Sequence, residues 1–161
     1  MKNIAVVLIL FLLLSLTACN DELENKADTN ANAKVQTKKQ IGNTGDDSDD
    51  LAEIIKLSFI PEDVVWQQYE VNGGKQIIAV IRFTPADTAT ILAQSQTGEK
   101  VELAAERWYP QELIAQSDTA GDQVLHGTTF VTNIFYKDSF DKGKVIKLDG
   151  SDYFVLEIST F

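Results

Sequence analysis

From Ile4 to Leu14 the chain is apolar without a break, and a sustained polar stretch begins only after Cys19. Residues 20–50 are then polar almost throughout, with Leu23, Val35 and Ile41 as the only large apolar side chains. Such a stretch cannot bury enough surface to offset the ordering of its backbone, which predicts a disordered tether. The pattern changes at Leu51. Leu51, Ile54 and Ile55 recur at helical spacing behind Asp49 or Asp50 as a cap, and Pro61 closes that segment. Residues 64–71 (VVWQQYEV) and 76–83 (QIIAVIRF) are rich in β-branched and aromatic side chains, which predicts two strands. Asn72-Gly73-Gly74 between them tolerates positive φ and favours a tight hairpin. The second strand is apolar on both faces apart from Arg82, as a central strand covered on both sides would be.

Thr84-Pro85-Ala86-Asp87 has the form of a helix start, with Thr as cap, Pro at the first helical position and Asp reaching back. The helix is expected to reach Gln94 and to turn Thr88, Ile91 and Leu92 towards the sheet. Residues 95–100 read as a turn and 101–104 as a short strand or helical segment. A second short helix from Pro110 should cover Leu113 and Ile114, and residues 117–121 read as a loop. Residues 128–136 (TTFVTNIFY) predict a third strand, followed by a turn over 138–143. Residues 145–148 and 153–159 predict a second hairpin through Asp149-Gly150-Ser151. The sum is an α+β domain over residues 51–161, with a mainly antiparallel sheet of four to five strands in the order β-β-α-α-β-β-β and short helices packed on it.

Residues 1–18 call for a separate reading. Lys2, then a 15-residue apolar stretch over 4–18, has the length of a secretion signal core and is short for a membrane-spanning helix. It ends in Leu16-Thr17-Ala18-Cys19, which resembles the lipobox of bacterial lipoproteins. The resemblance implies cleavage before Cys19, lipid on Cys19, and an extracytoplasmic domain held to a membrane. Two acyl chains would anchor it firmly, each buried methylene contributing about 0.8 kcal/mol. In Gram-negative lipoproteins an aspartate directly after the cysteine is the usual inner-membrane retention signal. Asn20 stands there instead, which implies the inner leaflet of the outer membrane if the host is Gram-negative. No family resemblance extends into residues 51–161.

Charge narrows the function classes. Without its first 18 residues the chain has 143, with 13 basic and 24 acidic side chains and a net charge of −11. That balance repels nucleic acid and anionic head groups and would attract a basic partner. Cys19 is the only cysteine, so neither an intramolecular disulfide nor a cysteine metal cluster can form.

Candidate chemistry is sparse. His126 is the only histidine, expected in the loop entering the third strand; a two-histidine metal site is impossible, and no serine stands in a Gly-x-Ser-x-Gly elbow. The run Asp46-Asp47-Ser48-Asp49-Asp50 lacks the glycine and closing glutamate of an EF-hand loop. No phosphate-cradling or dinucleotide motif occurs, so no cofactor is expected. Paired carboxylates could support a small hydrolase, and an open cleft holding two acidic residues would mark one. Arg107-Trp108-Tyr109-Pro110 places two large aromatics and a cation just before a helix start, a composition common in binding anchors. Trp66 and Trp108 could equally cap the core of a domain without disulfides. The expectation is a non-enzymatic, lipid-anchored envelope module that binds a protein partner through its sheet or through the region of Arg107, Trp108 and Tyr109. An immunity or inhibitor lipoprotein against a basic toxin or cell-wall hydrolase is the narrower alternative, and a carboxylate hydrolase the enzymatic one.

Overall fold

The computed structural model describes residues 39–42, 44–120 and 124–161, and for 118–120 the backbone alone. The expected signal segment, Cys19 and most of the expected tether lie outside the described residues. Ten elements follow in the order β1 (Lys39–Gln40), α1 (Ser48–Ile54), β2 (Asp63–Val71), β3 (Gly74–Arg82), α2 (Pro85–Ala93), β4 (Gln96–Ala104), α3 (Gln111–Ala120), β5 (Val124–Val131), β6 (Lys142–Leu148) and β7 (Tyr153–Ser159). The strands form one antiparallel sheet in the spatial order β1-β2-β3-β7-β6-β5-β4. The α+β class and the antiparallel sheet therefore agree with the sequence, while the strand count and element order differ from it.

The first hairpin forms where expected. Asn72 (φ 53°) and Gly73 (φ 79°) both take positive φ, the twist a two-residue hairpin turn requires. Helix α2 starts as its residues dictate: the Thr84 hydroxyl accepts from Asp87 N at 3.1 Å and donates to the Asp87 carboxylate at 2.8 Å. Helix α1 is capped by Asp47, whose carboxylate accepts from Asp49 N at 2.7 Å, so the cap lies two residues before the earlier of the two expected positions.

Three expectations fail, each for a physical reason. Residues 96–100 are strand, not turn. They form the exposed part of edge strand β4, polar because solvent lies on both of its faces, and a bulge between Thr97 and Lys100 breaks its register. Thr129 holds that bulge by accepting from Glu99 N at 2.8 Å. Residues 117–120 continue α3, because Ser117 is buried and returns its hydroxyl to the Ile114 carbonyl at 2.8 Å. The strand expected at 128–136 is β5, which starts and ends earlier, and His126 lies within it; residues 132–136 lie outside it. Tyr136 N bonds Asn133 O in a turn, Lys56 N bonds Phe135 O, and Phe135 stacks on Phe83 with ring centroids 6.1 Å apart. Its apolar run is a cover for the sheet.

Both faces are packed. On one, Leu51 and Ile55 beside α1, Ile91 of α2, and Phe135 and Phe140 cover Ile77, Ala79 and Ile81 of β3 with Phe154 and Leu156 of β7. On the other, Tyr109 and Leu113 cover Ile78 and Val80 of β3, Val155 of β7, and Ile146 and Leu148 of β6. Alternate residues of one strand serve two cores, which is why β3 and β7 are apolar almost throughout.

Hydrogen bonding to the sheet begins before Leu51. Lys39 and Gln40 pair with Glu70 and Tyr69, and Gly45 pairs with Trp66. The last part of the expected tether thus lies on the outer edge of β2.

Candidate functional site

Between the end of β4 and the start of α3 the chain makes a tight loop, closed by a bond from Tyr109 N to Glu106 O at 3.0 Å. The loop separates the three residues expected to bind together. Arg107 is exposed. Trp108 is half-buried, its ring edge-on to Tyr109 at 4.7 Å between centroids. Tyr109 is 5% exposed and belongs to the core under α3, where its ring packs against that of Trp108. Burial, with Glu106 and Glu157 adding to it, raises the Tyr109 pKa. Tyr69 of β2 packs on the same cluster; burial and then Glu106 raise its pKa, and the Trp108 side chain draws it partly back. Trp66 lies on the opposite face, half-buried, with its indole N–H donating to Asp47 O at 3.3 Å.

A second group of side chains meets beside that loop. Asp63 opens β2, Arg82 closes β3 and Tyr153 opens β7, and the strand register sets all three side by side on the face that α3 covers. Glu112, in the first turn of α3, closes the group from above. The Tyr153 hydroxyl contacts Asp63 at 2.9 Å and Glu112 more closely still. Arg82 bridges Glu112 at 3.1 Å and Glu62 at 3.6 Å, with its guanidinium carbon 5.5 Å from the centre of the Tyr153 ring. An open cavity of about 420 Å³ lies between Asp63, Arg82, Pro110, Glu112 and Tyr153. Burial is the main cause that raises the Tyr153 pKa, with the bonds to Glu112 and Asp63 adding to it.

The chemistry of this group follows from its charges. Three carboxylates face one guanidinium, so the patch stays acidic. The cleft does hold two carboxyl groups, but the Tyr153 phenol fills the space between them. A glycosidase needs that space for a sugar carbon or a water. As drawn, the cluster ties α3 to the sheet, and its outer edge offers acceptors to a cation.

His126, exposed on β5, stands opposite Glu102 on β4, with Nδ1 3.8 Å from its carboxylate. Beside them Lys100 holds Asp149 through contacts of 2.8 and 3.0 Å, around an open cavity of about 490 Å³. Lys100 and Asp149 neutralise one another as a pair. Among the described residues no group of three or more His, Cys, Asp or Glu is placed to hold a metal ion. Among them, too, no helix is long and apolar enough to cross a membrane. Asp63, Glu112 and Tyr153 gave no signal in sequence, where acidic residues near turns read as solvated. Arg82 did, as the one charge in an otherwise apolar strand.

The chain matches no protein-family model, no curated protein and no solved structure.

Proposed function

We propose that this protein is a lipoprotein anchored through Cys19 in an extracytoplasmic membrane leaflet, and that its domain binds another envelope protein without catalysing a reaction. The observation that carries the reading is the placing of Trp108. A large aromatic side chain is left partly exposed on the loop between β4 and α3, braced by Tyr109, with the exposed Arg107 next to it in the chain. Aromatic and arginine anchors contribute most where a rigid support has already met their ordering cost. The carboxylate surplus favours a basic partner, which supports the immunity or inhibitor alternative as the narrower form of the same reading, since opposite charge speeds encounter.

The test is a photo-crosslinking residue placed at Arg107 in the lipidated protein within its own membranes. One protein should be captured, and capture should weaken steeply with salt. A site at Gln96, on the far edge of the sheet, serves as control. Equal capture at both sites, or none at Arg107, would remove the Trp108 surface from the proposal.

A further inference from the structure

We infer that the outer edge of β2, from Trp66 to Glu70, is a docking surface for an extended polypeptide strand, and that residues 39–42 and 44–45 lie along it in the free protein. The chain itself shows that this edge accepts an antiparallel strand. Trp66 exchanges both backbone bonds with Gly45, at 2.8 and 2.9 Å, and Ile41 N donates to Gln68 O at 2.9 Å. Lys39 stands opposite Glu70 and Gln40 opposite Tyr69. Outward-facing groups therefore recur at every second residue of β2, the spacing a docked strand reads.

The resident segment is a poor strand. Only two of its residues are regular β-structure, against nine in β2. At Gly42 the backbone turns to φ +94°, and the next pairing among the described residues is at Gly45. Among the described residues the Gln68 N–H, on the same edge, has no backbone acceptor. A continuous strand would supply one, so an outside strand has a bond to gain that the described residues of the resident segment do not make.

The resident segment also specifies what fits. At Gly45 a Cβ would fall 2.3 Å from the Trp66 ring, so the position over the indole takes glycine alone. The position opposite Glu70 takes a basic residue, as Lys39 does. The occupant is an extended, antiparallel partner segment with glycine over Trp66 and Lys or Arg opposite Glu70. Its positive charge suits an acidic domain.

The experiment uses the mature protein and a fluorescent peptide of residues 38–47 as the docking strand. In Gly45→Val the new side chain meets the Trp66 indole and expels the resident segment, so the Ile41 and Trp66 amides should lose exchange protection. The peptide should then bind Gly45→Val at least tenfold more tightly than wild type. The same peptide carrying Gly45→Val should bind neither. Ile41→Pro, which deletes the donor to Gln68, provides a second route should Gly45→Val melt well below wild type. Amides that stay protected in both variants, or a peptide that binds a released variant no better than wild type, would overturn the inference.

Discussion

Tyr153 shows how a single side chain can serve stability and surface charge together. Its ring packs under α3 while its hydroxyl lies between Asp63 and Glu112, and both the burial and the carboxylates favour the neutral phenol. Tyr109 is raised in the same direction, first by burial. The sign follows from linkage: the unfolded tyrosines ionise near their ordinary pKa of about 10, while the folded ones keep their protons. Stability is thus complete below about pH 10 and falls as pH rises above it. Lys147 acts oppositely, because burial lowers its pKa against the pull of Asp152 and Asp149. Below the ordinary lysine value the unfolded state holds more protons, so this group's contribution rises with pH. Denaturant midpoints should therefore drop from neutral pH to about pH 11, and Tyr153→Phe should flatten the drop. A Tyr153→Phe profile parallel to wild type would contradict this origin. Residue type alone made Tyr109 a plausible contact; only packing placed it in the core.

Elements were legible where local chemistry and tertiary position agree. Helix α2 is such a case. Thr84, Pro85 and Asp87 specify its start without help from the rest of the fold, and Thr88 and Ile91 are buried as its spacing requires. Thr84→Ala should lower stability by about 1 kcal/mol, measured by denaturant unfolding, since it removes an N-terminal cap. In an Asp87→Ala background the cost should shrink, because the two side chains form one reciprocal unit. Edge strands and covering segments were illegible for the opposite reason. Strand β4 is polar because it borders solvent, so its residues resemble a turn. Phe130 to Tyr136 is apolar because part of it caps the first core, so it resembles a strand.

For the molecule as a whole, the two-faced sheet explains how a domain without disulfides holds together. Each face of β3 and β7 is closed by different segments, so one sheet carries two apolar clusters. The lipid proposed on Cys19 can be tested apart from the fold. Cys19→Ala should abolish labelling by a palmitate analogue while leaving the thermal melt of the domain unchanged. Equal labelling of wild type and variant would remove the lipoprotein reading.

What the residues determined unaided was whatever acts over a few positions: the β2–β3 hairpin, the α2 start and the central character of β3. These rest on backbone preference and short-range periodicity, which each segment carries within itself. Tertiary structure decided everything that depends on register. Asp63, Arg82 and Tyr153 come from three strands and Glu112 from a helix, and no spacing in sequence places them together. The seating of residues 39–42 and 44–45 on β2 is of the same kind. A polar segment has no apolar face to announce where it docks, and its backbone bonds find partners only once the edge of β2 exists.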